Sequence, residues 1–418
     1  LRYLYGDRLK AVVLAAGDGT RMRPLTTNIP KPLLPVAGKP FIQHIFETLS
    51  SVGINEIMLL VGWKQDKIKE RFGDGSKLGI KLSYHEQGER LGTAHAVGMF
   101  KDKVDDAFLC INGDVLITKK MVTDVLECYN EKKGCIITVV PVKNPSEFGI
   151  VDFDANGKVL EIAEKPEKPR GNNANAGVYV FTRDIFDAIS KTQKSKRNEY
   201  EITKSLSYLI EAGKVYACVS SEPWIDIGRP WDLLEANEIL MKGMDKGLVE
   251  GELEPYVTLK GAVHIGRGTV VRNGAYIIGP VIIGENCEIG PNCLIRPYTS
   301  IGNKCKVGNA VEIKNSIIMD ESHVPHLNYV GDSIIGSRCN LGAGTKVANL
   351  RLDNKNVKTV LKGESVDSGR RKLGVIMGDD VKTGINASID PGTVICEESF
   401  IGPGAIAKGF IAPRSRVH

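Results

Sequence analysis

The sequence predicts two fold classes in one chain: an α/β domain on a largely parallel sheet, then a parallel β-helix. Three observations carry this. Strand-like and helix-like segments alternate over residues 10–240, an aliphatic residue recurs every six positions from Leu253 onward, and 45 glycines follow the second pattern more than the first. A length of 418 residues allows two or three domains, and 42% apolar with 25% charged residues is the mix of a soluble globular protein rather than a disordered chain. No apolar run reaches bilayer-spanning length, and the N-terminus lacks a secretory pattern, so membrane insertion and secretion are not expected. Lys and Arg number 55 against 50 Asp and Glu, too small an excess for a nucleic-acid partner but suited to small anionic substrates. Nine cysteines without clustered CxxC pairs point to a reducing, cytoplasmic setting.

In the first half, Lys10–Ala15 reads as a short buried strand, Phe41–Val52 as a helix and Glu56–Gly62 as a second strand. Ala107–Asn112 is another strand, followed by a helical pattern around Met121–Tyr129. Alternation of this kind gives a mostly parallel sheet with helices on its faces, and ligands bind beyond the carboxyl ends of its strands.

In the second half, Leu253, Leu259, Ile265, Val271, Ile277, Ile283, Ile289, Ile295, Ile301, Val307 and Ile313 keep one register. It resumes at Ile335, Leu341 and Val347 and again from Met377, with Thr383 its weak member. A small or aliphatic side chain, such as Val263, Cys287, Cys293 or Cys305, stands four residues after most of them. A six-residue period matches neither an α-helix nor a long strand. It matches stacked coils in which each hexad is a short strand plus a turn, with the first and fifth positions inward. Cys287, Cys293, Cys305 and Cys339 are therefore read as core packing rather than zinc ligands. Glycines that follow the aliphatic position, such as Gly266, Gly284 and Gly302, are expected to serve the turns. Periodicity does not give the hand of the coil. Two interruptions, near 320–329 and 351–373, are expected as loops, the second strongly basic and suited to a phosphorylated ligand. The domains are placed at 1–245 and 246–418.

After the first strand comes Gly17-Asp18-Gly19-Thr20-Arg21, with Lys31 in a proline-flanked stretch. Glycines let backbone N–H groups approach phosphate oxygens, while Arg21 and Lys31 neutralise charge. The stretch lacks the ending of a P-loop and the third glycine of a dinucleotide fold. The full string LAAGDGTRMRPLT…IPKPLLPVAGKP resembles the sugar-1-phosphate nucleotidylyltransferases. The resemblance runs on through Glu86-Gln87, Gly92-Thr93-Ala94, Asn112-Gly113-Asp114, Phe148-Gly149, Glu164-Lys165-Pro166, Asn175-Ala176-Gly177 and Trp224-Ile225-Asp226. Together with the hexads it resembles the bifunctional N-acetylglucosamine-1-phosphate uridylyltransferase/glucosamine-1-phosphate acetyltransferase family, in its archaeal branch. That resemblance implies a Rossmann-like nucleotidylyltransferase domain, a left-handed β-helix and a homotrimer formed through the helix.

It also implies roles. Ala16, Gly17, Gly19, Gln87, Gly92 and Thr93 bind the nucleotide, with Gln87, Gly92 and Thr93 reading the base. Gly149, Glu164 and Asn175 hold the sugar and Lys165 its phosphate, while Asp114 and Asp226 hold Mg²⁺. Asp226 and the segment Gly73-Asp74-Gly75-Ser76 lean toward glucose-1-phosphate thymidylyltransferases, which leaves UTP and dTTP both open. On the β-helix, the segment His326-Leu327-Asn328-Tyr329-Val330-Gly331-Asp332 resembles the family's acetyltransferase motif, with Asn328 in place of Ser. His326 is then the general base, with His323 its rival. Arg296, Lys314, Tyr329, Asn340, Asn349 and Lys355 bind the substrate, and Asn340 also orients His326. The implied chemistry is acetylation of glucosamine-1-phosphate by acetyl-CoA, then uridylyl transfer. The alternatives are a transferase whose β-helix only assembles or regulates it, and a scaffold without activity.

Overall fold

The computed structural model describes residues 9–195 and 197–418. They form two compact units. The first takes residues 9–18 and Ile42–Asp226; the second takes Gly19–Phe41 and Ile227–His418. The segment that follows the first strand thus packs with the β-helix unit, which its position in the sequence does not foretell.

In the first unit, β1 (Ala11–Ala15) lies at the centre of the sheet, fully buried at Ala11, Val12 and Val13. It pairs in parallel with β2 (Glu56–Val61) and with β4 (Ala107–Asn112), and β2 in turn pairs with β3 (Lys81–Glu86). Beyond β4 the sheet departs from the parallel expectation. β8 (Asn173–Thr182) runs antiparallel to both β4 and β5 (Cys135–Pro141), while β9 (Val215–Val219) is parallel to β5. The antiparallel β6 (Gly149–Phe153) and β7 (Val159–Glu164) extend from β8 as a side ribbon. Chain order reverses between β1 and β4, so their carboxyl ends form the switch point at which such sheets bind ligands.

Two glycines keep that point tight. A Cβ on Gly62 would lie 2.6 Å from the Ala16 carbonyl, and one on Gly113 would lie 2.8 Å from that of Leu14. Only glycine lets these backbones come so close.

In the second unit, three parallel sheets stack coil on coil over residues 248–417, forming a left-handed β-helix. Val263 pairs with Val281 and Val281 with Thr299, eighteen residues on each time. From Ile265 onward the six-residue series and its partners at the fifth position fill the core, including Ile277, Ile289, Ile301, Val307 and Ile313 at 0–1% exposure, whereas Leu253 at its start is exposed and Leu259 only partly buried. Each such side chain contributes about 1.5–3 kcal/mol by leaving water. The cysteines take the small inward slot. Cys287, Cys305 and Cys339 donate their thiols to the carbonyls of Gly302, Met319 and Gly378 on the next coil at 3.1–3.2 Å.

Two expectations change. The left-handed turn residue is in most hexads the third after the aliphatic one, as at Asn286, Asn292, Lys304 and Asn386. The glycines that directly follow the aliphatic residue are there because coils stack closely. A Cβ on Gly266 would meet the Gly284 carbonyl carbon at 2.7 Å, and one on Gly284 the Gly302 carbonyl oxygen at 2.6 Å. The first interruption is not a loop either. His323–His326 is a regular strand paired with the coils before and after it. Coils here shorten to seventeen residues, as Ile301 pairs with Ile318 and Ile318 with Ile335. The second interruption is a true insertion, an antiparallel hairpin of Lys358–Leu361 and Glu364–Asp367.

Candidate active sites

The first site is built on strand ends of the first unit. Asp114 stands two residues past the end of β4. Its neighbour Val115 bridges antiparallel to Asp226, and the Leu116 N–H donates to the Ile225 carbonyl at 2.9 Å. Two carboxylates therefore arrive on adjoining backbones. Among the described residues no cluster of three or more His, Cys, Asp or Glu could cage a metal. A pair of carboxylates leaves most positions of an octahedral ion to water and phosphate oxygens, which fits Mg²⁺.

The sugar-binding candidates come together. Gly149 pairs across the ribbon with Glu164, and a Cβ on it would stand 3.2 Å from Glu164 Oε2 and 3.8 Å from Asn175 Cβ. Asn175 donates to the Tyr179 hydroxyl at 2.8 Å, beside a break in the register of β8. Burial, and then the charges of Cys110, Glu164 and Asp114, push the Tyr179 hydroxyl well above its ordinary value despite the Asn175 hydrogen bond. Lys165 turns left-handed at φ 45°, with its N–H on the Phe148 carbonyl at 3.1 Å. Trp224 stacks edge-on with Phe148 and donates to the Ala176 carbonyl at 2.9 Å.

Among the base-reading candidates, Gln87 is 7% exposed, with its amide 3.2 Å from His95 Nδ1. Gly92 has φ 106° and lies so close to Tyr200 that a Cβ would sit 2.5 Å from its carbonyl oxygen. The Thr93 hydroxyl accepts the Ile202 N–H at 3.0 Å, which caps the helix Ile202–Glu211. Ala16 is buried beside Gly62, and Gly17 is exposed with open space above it.

Sequence reasoning missed His95, Tyr179, Arg90 and Arg197. Arg90 pairs with Asp18, and Arg197 pairs with Glu164 at 3.3 Å and Glu201 at 3.1 Å. His95 stands two residues after Thr93 in a segment already singled out. Arg197 had no such signal.

In the second unit, Arg21 lies on the one-turn helix Thr20–Met22 and Lys31 begins the one-turn helix Lys31–Leu33. Gly19 turns left-handed at φ 60°, and its carbonyl accepts from Thr26 Oγ1 at 2.8 Å. Asp232, at the start of the helix Asp232–Lys242, accepts the Gly228 and Arg229 N–H groups at 2.9 and 2.6 Å. Burial holds its carboxyl above the usual range against the pull of Arg229.

On the β-helix, two expected residues converge on one that was not assigned a role. The buried Asp332 carboxylate accepts from Lys314 Nζ at 2.9 Å and from Asn349 Nδ2 at 2.5 Å through one oxygen. Its other oxygen takes Asn315 Nδ2 at 2.8 Å. Asn349 also reaches the Tyr329 hydroxyl at 3.3 Å. A Cβ at Gly331 would push on both, lying 2.6 Å from Asn349 Nδ2 and 2.7 Å from the Tyr329 hydroxyl. Asn315 and Arg370 both donate to Glu238 Oε1, at 3.0 and 2.9 Å. Arg296 stands one coil before Lys314 and pairs with Glu312 at 2.9 Å.

His326 is exposed at the end of its strand, opposite Asn309. Asn340 stands in register with His323, not His326. Those two, with Lys304, Arg338 and Lys382, line a shallow hollow of about 450 Å³. Lys355 is exposed, its N–H on Asp353 at 3.2 Å. Asn328, the departure from the motif, is buried and donates to the Leu341 carbonyl at 3.4 Å.

Comparison with known proteins agrees with both halves. The nucleotidyl transferase family model matches residues 10–243, and that of the GMPPB C-terminal domain matches 277–384. The bifunctional protein GlmU of Methanocaldococcus jannaschii is 44% identical over 398 residues, covering 95% of this chain and 94% of that one. The chain belongs to the bifunctional sugar-1-phosphate nucleotidylyltransferase/acetyltransferase family. A further member, the bifunctional sugar-1-phosphate nucleotidylyltransferase/acetyltransferase of Sulfurisphaera tokodaii, is 38% identical over 398 residues, 95% of this chain and 97% of its own. Among solved structures, a putative glucose-1-phosphate thymidylyltransferase from Bacillus anthracis in complex with sucrose is 31% identical. It aligns with a TM-score of 0.51 over 55% of this chain and 94% of that one. The family therefore spans both halves of the chain, whereas that solved relative is matched by 55% of it.

Proposed function

We propose that this enzyme acetylates glucosamine-1-phosphate with acetyl-CoA and transfers a uridylyl group from UTP to the resulting N-acetylglucosamine-1-phosphate. The observation that carries it is the Lys314–Asp332–Asn349–Tyr329 cluster on the β-helix, where candidate sugar-phosphate binders from three successive coils meet around one buried carboxylate. Residues 1–245 serve uridylyl transfer and 246–418 acetyl transfer.

In uridylyl transfer a sugar-phosphate oxygen attacks the α-phosphorus of the triphosphate, and pyrophosphate leaves. The nucleophile is already an anion, so alignment and charge neutralisation supply the catalysis. Mg²⁺, held by Asp114 and Asp226, would offset charge on the triphosphate. Arg21 and Lys31 neutralise phosphate oxygens, and the glycines at 17 and 19 leave room for them. Gln87, Gly92 and Thr93 line the base, and Gly149, Glu164 and Asn175 the sugar, with Lys165 on its phosphate. In acetyl transfer the substrate amine attacks the thioester carbonyl, His326 accepts the amine proton, the carbon–sulfur bond breaks and that proton passes to the departing CoA thiolate. Arg296, Lys314, Tyr329 and Asn349 hold the sugar phosphate, with Asn340 and Lys355 completing the pocket.

We place this second site between neighbouring copies in a homotrimer. Sedimentation showing a monomer competent in acetylation would contradict that. Nine thiols without a disulfide among the described residues suit a reducing cytoplasm, which cell fractionation tests. The deciding experiment is a product assay on glucosamine-1-phosphate with acetyl-CoA, UTP and Mg²⁺, omitting each in turn. UDP-N-acetylglucosamine should appear only in the full mixture. Its formation without acetyl-CoA, or its absence altogether, would overturn the proposal. Asp226 favours a second reading, thymidylyl transfer to glucose-1-phosphate, so dTTP and glucose-1-phosphate form a parallel arm.

A further inference from the structure

The segment that carries Arg21 and Lys31 is fastened to the β-helix within one compact unit. Its first half is held by late coils. Thr27 Oγ1 donates to Glu397 Oε2 at 3.2 Å, and Asn28 Nδ2 donates to Asp379 Oδ2 at 3.0 Å. Pro24 sits against Gly378, where a Cβ would come within 3.0 Å. Its second half is held by early coils. The Ala37 N–H donates to Asn237 Oδ1 at 2.8 Å, and Asn237, fully buried, passes a hydrogen bond to the Tyr298 carbonyl at 2.8 Å. Gly38 lies against Ile282, where a Cβ would meet Cγ2 at 2.7 Å. Lys31 stands between these two sets of pins.

The pins are themselves anchored. Asp379 is 9% exposed and spends its other oxygen on the Ser337 N–H at 2.9 Å. Its coil is hydrogen-bonded to the coils on either side, as Ile376 pairs with Ile334 and with Val394. A hydrogen bond to such a frame transmits its geometry, because closely packed coils do not yield to a loop. The stretch that bears Arg21 and Lys31, by contrast, has only one-turn helices and turns, the loop's own ladder being the short Pro35–Val36/Lys39–Pro40 hairpin that follows it.

We infer that Asp379 and Glu397, residues of the acetyl-transfer half, are positioning residues for uridylyl transfer, acting through Asn28 and Thr27 on the loop that presents Arg21 and Lys31. This rests on the proposal that Arg21 and Lys31 bind the triphosphate. Misplacing such groups by about an ångström costs up to about a hundredfold in rate. Neither contact touches the Lys314–Asp332–Asn349 cluster, so acetyl transfer has no reason to respond.

The test is an exchange of partners in the full-length enzyme. Asn28→Asp sets two carboxylates face to face and should lower the uridylyl kcat about tenfold or more, with the acetyl rate unchanged. Asn28→Asp with Asp379→Asn rebuilds the bond in reverse: the amide oxygen introduced at position 379 still accepts the Ser337 N–H, and Arg338, which reaches Asp379 Oδ2 at 3.5 Å, keeps its closer pair with Asp380 at 2.7 Å. That pair should return the uridylyl rate to within about threefold of wild type. Uridylyl transfer unaffected by Asn28→Asp, or a double variant no better than the single, would overturn the inference. If Asn28→Asp fails to fold, Thr27→Val decides. It removes one hydroxyl donor at constant volume and should lower the uridylyl kcat severalfold, and an unchanged kcat refutes the coupling. Deuterium exchange of peptides from 19–41 supplies a readout that needs no turnover. It should rise in Asn28→Asp and fall back in the double variant. That result in an enzyme inert toward UTP would keep the fastening and discard the assigned substrate. Flat exchange would discard the fastening itself.

Discussion

Replacing Asp332 with Asn isolates what one buried charge does for the cluster proposed to serve acetyl transfer. Its backbone is left-handed at φ 50°, a conformation Asn tolerates as well as Asp, so backbone strain drops out of the comparison. The carboxylate receives three side-chain donors, Lys314, Asn349 and Asn315. An amide offers one oxygen. In its better orientation that oxygen keeps Lys314 and Asn349 while the new NH₂ confronts Asn315, which retains Glu238. Losing a charge-assisted bond costs about 1–2 kcal/mol, and a buried donor facing a donor adds about 1. Breaking a fully buried pair costs about 3–5 kcal/mol, but the Lys314 side chain is 20% exposed and water relieves part of that. The expectation is therefore about 2–3 kcal/mol. For a unit of this size that corresponds to a midpoint lower by roughly 4–12 °C. Thermal unfolding of the purified variant measures it. The KM for glucosamine-1-phosphate should rise at least tenfold as Lys314 and Asn349 lose their orientation, while uridylyl transfer stays intact. A midpoint within about 1 °C of wild type and an unchanged KM would show that Asp332 organises neither the fold nor the site.

Three further outcomes follow from the geometry. Asp114→Asn should lower uridylyl transfer by at least a hundredfold and weaken Mg²⁺ binding by calorimetry, and near-normal turnover with undiminished metal would contradict the carboxylate pair. His326→Ala should lower acetyl transfer by about two to four orders of magnitude and leave uridylyl transfer on pre-acetylated substrate intact. More than about a tenth of the wild-type acetyl rate would move the role to His323. Burial pushes the Cys293 and Cys339 thiols up to about 12 from an ordinary value of 9.0. The folded state therefore holds protons that the unfolded state releases, so their contribution is whole below pH 9, falls as pH rises from 9 and is gone above 12. Urea midpoints should decline across that window and be flatter in Cys293→Ala/Cys339→Ala; equal slopes would refute the assignment.

Where a residue's role is repeated by its neighbours, the sequence showed it plainly. Eleven hexads on one register left no other fold for Leu253–Ile313, and Cys287 and Cys305 fell into the inward slot by position alone. Where a role depends on a single long-range contact, it did not show. Nothing near Asn28 announces Asp379, and nothing in a run of small residues tells a turn glycine from one kept by the next coil. The interruption at 320–329 misled because losing one residue from a hexad and adding a loop look alike to a periodicity, while only the second alters the stack. Thr93 illustrates the same limit at the first site. Its hydroxyl caps a helix more than a hundred residues away in sequence, a use that no local pattern encodes.

The Lys314–Asp332–Asn349 cluster was legible for a geometric reason that also explains what was overlooked. In a β-helix one coil of sequence becomes one strand spacing, about 4.8 Å, in space. Lys314 to Asp332 is eighteen residues, and Asp332 to Asn349 is seventeen, so residues far apart in sequence meet on successive coils. A motif matched at such spacings is a column of side chains seen end on. Asp332 lies one position from Lys314's column, since Lys314 is in register with Gly331, and its carboxylate holds both Lys314 and Asn349. It went unassigned because attention to substrate contact favours exposed donors over the buried acceptor that aims them. Further positioning residues of the second half are therefore expected among buried polar side chains one coil from a candidate binder rather than in the basic insertion at 351–373.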